Sequence, residues 1–333
     1  MANSADGLVH VRTPTYRRPE LLRRALDSLI RQTWANWVCD VYDDDPEGSA
    51  EAVCRAVGDA RVHFNQNRPQ KLASKNIDDC FSRANPREAD YFCVVEDDNF
   101  LLPGFMAENI AVCREQGVEV VLRNQRIEHE PETPQAWISE DGILDAQFEE
   151  GRYSPKEFRL AVLVSLGVSN GGLFWSRDAG TDFSVGHTRA DVVLDEPLRT
   201  LALADDIYVA REPLAVWANH AAATNRFLGT KSGYLRREFN AKRGFQIVRQ
   251  AIWRTLDDST RQDFLDARIM NYPARQRVRE LVKYLVQPGA GDLGLSVRAN
   301  LLLRGLAIRL FGRTTPAFRA FVVERTARSN PAA

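Results

Sequence analysis

The sequence is short of net charge. Its 333 residues carry 44 Lys and Arg against 45 Asp and Glu, so no global electrostatic argument favours a nucleic-acid partner. It has no CxxC pair and no histidine at zinc-finger spacing. The five cysteines, Cys39, Cys54, Cys80, Cys93 and Cys113, stand apart in mostly apolar contexts, which predicts reduced, mostly buried thiols in a cytoplasmic protein. No stretch reaches the roughly 18 uninterrupted apolar residues of a membrane span. The most lipophilic segment, LLLRGLAIRLFGR, is broken by Arg304, Arg309 and Arg313 and reads as amphipathic. The opening MANSADGLVHV has no basic stretch followed by an apolar one, so no secretory signal is expected. The loop TPTYRRP after the first strand-like segment contains no glycine. That argues against a G-x-G-x-x-G dinucleotide loop and a Walker loop, and against the Gly-rich loop of a sugar-1-phosphate nucleotidyltransferase.

What is present is alternation. With 44% hydrophobic and 27% charged residues, the composition is that of a soluble globular protein. LVHVRTP reads as a strand. Pro19 opens a helix in which Leu22, Leu26, Leu29 and Ile30 keep helical spacing. WVCDVY is a second strand ending at Asp43-Asp44-Asp45, AEAVCRAVG a short helix, RVHFNQN a third strand and KLASKNIDDCFSRA a helix. YFCVVEDD is a fourth strand with an unbroken apolar run, as expected of a central parallel strand covered on both faces. GFMAENIAVCREQG is a helix and VEVVLRNQRI a fifth strand. The pattern predicts an α/β fold with a mostly parallel central sheet and helices on both faces. Ligands of such sheets bind beyond the carboxyl ends of the strands, where polar clusters recur here.

From about residue 131 to 225 the pattern loosens, with a Gly-rich turn, SNGGLFWSRD, then acids at Asp191, Asp195, Glu196, Asp205 and Asp206, then YVAREPLAVWANH as a strand. Beyond about residue 230 it becomes helical and basic. The expected organisation is a catalytic domain over 1–228, with a nucleotide-binding half at 8–110 and an acceptor half at 111–228, followed by a helical basic region at 229–333.

Three strand ends carry candidate chemistry. Glu96, Asp97 and Asp98 close the fourth strand; carboxylates there are hard oxygen ligands suited to Mg²⁺ or Mn²⁺, and a divalent ion would neutralise a departing diphosphate. An acidic turn or helix cap is the competing explanation. Asp43 and Asp44 follow the second strand, where a carboxylate can accept hydrogen bonds from a base or ribose; an Asp-rich turn before Pro46 is the plainer one. In Thr13-Pro14-Thr15-Tyr16-Arg17 the loop is suited to the edge of a base or ribose, and Arg17 to phosphate. Trp34, Trp37 and Trp217 read as core, while Trp175 lies where an aromatic could stack on a sugar.

The string TPTYRRPELLRRALDSLIRQTWANW followed by DVYDDDPEGS resembles the opening of family 2 glycosyltransferases of the A-type fold. The likeness continues through Asn65, Lys75 and Asn76 into VVEDDN, at the place of the family's metal-binding Asp-x-Asp. It implies that Thr13, Tyr16, Asp43 and Asp44 hold base and ribose, and that Lys75 is a cationic position near the donor. Glu96 and Asp98 then match the first and last acids of Asp-x-Asp, with Glu96 a departure from the pattern and Asp97 on the nucleotide-sugar. The family's catalytic base is a carboxylate often found in Glu-Asp-x-x-Leu; Asp195, with Leu198 and Arg199 after it, is the best match, and Asp191, Glu196, Asp205 and Asp206 are rivals. A base is needed because a hydroxyl is a poor nucleophile. His220 resembles a position that completes the metal shell.

The resemblance thus implies inverting transfer from a nucleotide-sugar, a UDP-sugar first, to a hydroxyl acceptor, with Mn²⁺ or Mg²⁺ as cofactor. A non-catalytic nucleotide-binding protein and a nucleotidyltransferase are the alternatives. The arginine-studded C-terminal segment suggests peripheral contact with an anionic membrane surface, where a lipid-linked acceptor would lie; a helical subdomain packed on the catalytic core is the other reading.

Overall fold

A computed structural model describes residues 7–164, 167–219, 230–270, 273–285 and 293–327. In chain order the elements are β1 (Val9–Thr15), α1 (Pro19–Ile30), β2 (Trp37–Asp43), α2 (Ser49–Val57), β3 (Val62–Gln66), α3 (Leu72–Asp79), β4 (Tyr91–Val94), β5 (Phe100–Leu101) and α4 (Phe105–Gln116). Then come β6 (Val120–His129), β7 (Trp137–Gly142), β8 (Gly151–Tyr153), α5 (Pro155–Phe158), β9 (Leu173–Ser176), α6 (Asp195–Ala202) and β10 (Ile207–Asn219). The remainder is helical: α7 (Lys231–Thr255), α8 (Asp258–Leu265), α9 (Ala274–Leu285), α10 (Leu295–Phe311) and α11 (Pro316–Ala327). Three 3₁₀ turns, Arg159–Val164, Gly186–Thr188 and Val192–Leu194, bridge the middle.

The sheet runs β3-β2-β1-β4-β9-β6-β10-β5, with β7 paired to β6 and β8 to β10. Its first half is parallel, as the strand–helix alternation requires: β1 pairs with β2 and β4, and β2 with β3. The second half is mixed. The segment LFWS after the Gly-rich turn forms β9, antiparallel to both β4 and β6, while β10 runs parallel to β6. Pro213 cannot donate to a ladder, and the β10–β6 register shifts between Ala210 and Ala215 around it.

Alternation along β1 sorts its side chains to two faces. Val9 and Val11 join Leu22, Leu26 and Leu29 of α1, Trp37, Cys39 and Val41 of β2, and Phe105 and Ile110 of α4 in one core. The other face packs Phe81, Phe92, Val94, Leu122, Phe158 and Trp175. Here β1 presents His10 and Arg12, both buried. Arg12 donates to the carbonyls of Cys80 (3.0 Å), Ser82 (2.7 Å) and Ala84 and lies over the Phe92 ring at 4.8 Å. This explains why α3 stops at Asp79 although KLASKNIDDCFSRA reads as one helix: the following chain wraps the guanidinium, which takes the carbonyls that a longer helix would use.

All five cysteines are free and buried, as their contexts predict. Trp37 is core, as expected, but Trp217 is 39% exposed. Trp175 is buried and stacked between Phe81 and Phe92 at 5.6 and 5.7 Å, so it is no sugar platform. A third core joins Leu160, Val162 and Leu163 to Leu194, Leu198 and Leu201 near α6, and to Val248, Ile252, Phe318 and Phe321 of α7 and α11. The C-terminal helices therefore pack on the sheet domain through α6. Among the described residues no helix is long and apolar enough to cross a membrane.

Candidate active site

Parallel register brings the carboxyl ends of β1, β2 and β4 together. Thr15 lies opposite Asp43, and Arg12 opposite Val94, so the loops 15–18, 43–45 and 95–98 leave one edge of the sheet. Asp97 is the clasp between two of them. It accepts from Thr15 Oγ1 at 2.8 Å and from the Tyr16 amide at 3.3 Å. Arg18 Nη1 reaches Asp98 Oδ2 at 2.7 Å and Asp97 Oδ1 at 3.3 Å. Burial, with Asp98 beside it, pushes the Asp97 carboxyl up to about 6 despite Arg18 and Thr15. Asp97 thus holds the loop, and its expected contact with a nucleotide-sugar would run through Tyr16 and Arg18.

Glu96 faces a second acidic wall. Its Oε2 accepts from Asn99 Nδ2 at 3.0 Å and its Oε1 from Asn170 Nδ2 at 3.4 Å. The Asn170 backbone N–H donates to Glu196 Oε1 at 3.1 Å. One asparagine therefore ties the end of β4 to the first turn of α6. Burial, then Asp98 and Glu196, push the Glu96 carboxyl up to about 8; burial raises Glu196 as well. Burial is the first cause of both shifts, and the neighbouring carboxylates add to that of Glu96.

Behind this wall Arg199 is completely buried. It donates to Asp78 Oδ1, Asn170 Oδ1 and the Phe183 carbonyl, each at 3.1 Å, and stacks 3.9 Å over Phe81. Asp78 also accepts from the Val185 amide at 2.7 Å and Ser184 Oγ at 2.9 Å. This charge pair fixes Asn170, and through it the spacing of Glu96 and Glu196.

The candidate bases divide by access. Asp205 accepts from the Gly180 and Thr181 amides and Thr181 Oγ1; it builds a turn. Asp206 is a surface acid 3.8 Å from Arg152. Asp191 caps the 192–194 turn and is gripped by Arg237 at 2.5 and 3.0 Å. Asp195 is 2% exposed, its Oδ2 has no hydrogen-bond partner among the described residues, and burial pushes it up to about 7. Glu196 is the one of this set that shares Asn170 with Glu96.

Several residues expected to touch base or ribose are engaged otherwise. The Thr13 side chain is fully buried against Cys39 Sγ at 3.6 Å, on the core face of β1, and cannot contact a ligand. Pro14 is buried in the strand. Asp43 accepts from the Asp45 and Ala50 amides at 2.9 and 3.0 Å. Asp44 accepts from the Lys71 and Leu72 amides, both at 2.7 Å, and from Asn67 at 3.1 Å. The two aspartates shape the loops around the edge. Asn76 is buried between Asn67 and the Tyr42 carbonyl. Lys75 is exposed and paired with Asp79 at 2.9 Å, an ordinary i,i+4 pair. Tyr16 and Arg17 remain at the exposed rim, Arg17 in a left-handed backbone conformation (φ 55°) and paired with Asp45. His220 lies outside the described residues.

Sequence reasoning gave no role to Arg18, Asn99, Gln125, Asn170 or Arg199. The glycine pair was the available signal. A Cβ at Gly171 would stand 2.9 Å from Gln125 Nε2, and one at Gly172 only 2.4 Å from the Arg123 carbonyl. The pair lets Gln125 approach; its amide is 1% exposed and unpartnered on both atoms among the described residues.

A divalent cation fits this site by chemistry. Asp98 and Glu96 are hard oxygen donors, with Asp98 paired to Arg18 at 2.7 Å, although among the described residues no three acidic, His or Cys side chains converge as a ready-made metal cage. Two carboxylates plus ligand phosphate oxygens are what Mg²⁺ commonly takes.

Known proteins agree with this architecture. Residues 11–169 match the sequence family described as Glycosyl transferase family 2. No curated protein matches the sequence. The crystal structure of residues 1–349 of S. aureus TarS is similar with a TM-score of 0.50 at 12% identity, over 96% of this chain and 82% of that one. The longer S. aureus TarS structure gives 0.52 at 14% identity, over 95% of this chain and 55% of that one, so the chain spans little more than half of that protein. At such identities the likeness is one of fold: the A-type glycosyltransferase fold.

Proposed function

With residues 11–169 belonging to glycosyl transferase family 2, and the chain thereby a glycosyltransferase, we propose that it moves a sugar from a nucleoside-diphosphate donor, a UDP-sugar first, to an acceptor hydroxyl with inversion. The observation that carries this reading is the meeting of Glu96 and Glu196 on Asn170 at the carboxyl edge of the sheet. A donor diphosphate needs positive charge at that edge, and an acceptor needs a base facing it.

The donor lies across the loops that Asp43, Asp44 and Asp97 hold in place, with Tyr16 at its rim and Arg18 as the protein's own cation beside the diphosphate. Mn²⁺ or Mg²⁺, held when bound by Asp98 and Glu96 with His220 as a further donor, would supply charge neutralisation for the leaving diphosphate. Glu196 accepts the acceptor's proton as the acceptor oxygen bonds the anomeric carbon and the bond to the diphosphate breaks. It takes precedence over Asp195 because it is half-buried where Asp195 is sealed, and because it shares Asn170 with Glu96; burial also raises its proton affinity. Asp195, with its unpartnered oxygen, is the second candidate.

The test is release of nucleoside diphosphate from a panel of UDP- and GDP-sugars, with Mn²⁺, Mg²⁺ or EDTA. Turnover of one donor, abolished by EDTA, is the expected result. Full activity in EDTA would remove the metal, and no turnover of any donor with any hydroxyl acceptor would remove the reading.

The C-terminal region supplies peripheral contact with an anionic bilayer in the same proposal. α10 buries Leu301, Gly305 and Ile308 and turns Leu303, Leu310 and Phe311 outward, at 67%, 77% and 66% exposure, beside exposed Arg304 and Arg309. Apolar side chains edged by arginine suit a lipid surface. Serine at 303, 310 and 311 should abolish co-sedimentation with anionic vesicles; unchanged binding would refute the contact.

A further inference from the structure

A second charged cleft, of about 650 Å³, opens where the C-terminal helices meet the sheet domain. Its walls carry Arg189, Arg236, Arg237 and Arg313 with Thr314 and Thr315, over a floor that includes Leu194 and Phe318. Its one carboxylate, Asp191, grips Arg237 through both oxygens, so that fork is engaged. Among the described residues no carboxylate pairs with Arg189, Arg236 or Arg313. All three are exposed and come from three parts of the chain, so their guanidinium groups are open to an anion from solvent.

The cleft is built rather than accidental. Gly312 packs so closely on α7 that a Cβ there would meet the Phe239 carbonyl at 2.4 Å, and the Arg313 amide donates to Asn240 Oδ1 at 2.8 Å. Thr315 Oγ1 donates to the Thr188 carbonyl at 2.6 Å, pinning the same turn to the segment that carries Arg189. Arg189 itself holds a left-handed backbone (φ 52°), a conformation that costs energy for a residue with a side chain and that collects at ligand sites.

We propose that this cleft is a phosphate site, in which Arg189, Arg236 and Arg313 hold the oxyanion of a phosphorylated ligand. Guanidinium forks match phosphate oxygens in pairs, which single ammonium groups do not. Thr314 Oγ1 accepts from Arg319 Nε at 3.0 Å and keeps its own proton as a neutral donor, and the Leu194–Phe318 floor accommodates carbon next to the phosphate. The wall formed by Asp191 and Leu194 immediately precedes α6 in the chain. The assignment stands independently of the transfer reading, since its test is binding.

Titration calorimetry with inorganic phosphate and pyrophosphate, at matched ionic strength against chloride, measures the site in the full chain. Saturable binding is expected, weakened roughly tenfold or more in Arg236→Gln/Arg313→Gln, with donor turnover unchanged. Should that variant unfold, Arg236→Lys/Arg313→Lys keeps the charge, and loss of the paired forks should still weaken binding severalfold. Vesicles of phosphatidylglycerol, against phosphatidylcholine, separate the sources. Vesicle binding lost in the arginine variants assigns a lipid headgroup, and phosphate binding without arginine-dependent vesicle binding assigns a soluble ligand. No saturable binding of either kind, or equal affinity in the wild type and the glutamine variant, would overturn the site.

Discussion

The acidic edge and the arginine cleft both draw on the short stretch around α6, yet the chain builds them in opposite ways. The acidic edge is made of strand ends. Parallel register sets Thr15 beside Asp43 and Val94 beside Arg12, so residues a few positions beyond each strand must meet. The arginine cleft is made by helices that pack late in the chain: positions 189, 236 and 313 share no local pattern and converge only because α7 and α11 close the third core. The first arrangement concentrates negative charge that calls for a cation, the second positive charge that calls for an anion.

Four substitutions test that contrast, in falling order of effect. Arg199→Ala should be the most damaging, since it leaves Asp78 buried without its cation; the cost is about 3–5 kcal/mol, read as the shift of the unfolding midpoint in urea. A loss under 1 kcal/mol would mean that Asn170 is held by other contacts. Asp98→Ala should lower turnover on the order of 10²–10³-fold without moving phosphate binding at the arginine cleft, in assays of diphosphate release and calorimetry side by side. A parallel loss of both would show that the two charged regions act as one.

Asp195→Asn should stabilise the fold at alkaline pH. Burial raises Asp195 to about 7 from an ordinary 3.8, so the folded state holds a proton that the unfolded state has released. Wild-type stability is therefore fullest below about pH 4 and declines until about pH 7. The asparagine variant lacks this decline, so it should gain on the order of 4 kcal/mol relative to wild type at pH 8. Melting temperatures across that range measure it, and parallel curves would refute the buried carboxylate. Lys75→Ala should change stability by less than about 0.5 kcal/mol, because its pair with Asp79 is exposed. A large rise in donor KM would instead restore Lys75 to the site.

The parallel half of the fold was legible because apolar strands and periodic helices alternate from Val9 to His129, and the acids that close β4 stand out after YFCVV. The antiparallel β9 was hidden inside a Gly-rich stretch, since its strand is short and its partners lie far away in sequence. The roles of the acids were less legible than their positions. Asp43 and Asp44 look like ligand contacts in a motif, but backbone amides of the following loops occupy them. Thr13 faces the core because side chains alternate along β1. For Asn170 the only local signal is the glycine pair beside it, and nothing local marks Arg199 as buried; their importance comes from what they join.

The most direct measurement of the central claim compares Glu196→Gln with Asp195→Asn in steady-state transfer from the preferred nucleotide-sugar. If Glu196 is the base, Glu196→Gln loses about 10²–10⁴-fold in kcat while nucleotide affinity stays near wild type, and Asp195→Asn retains most of its turnover. Full activity in Glu196→Gln, with the loss falling on Asp195→Asn, would contradict the account.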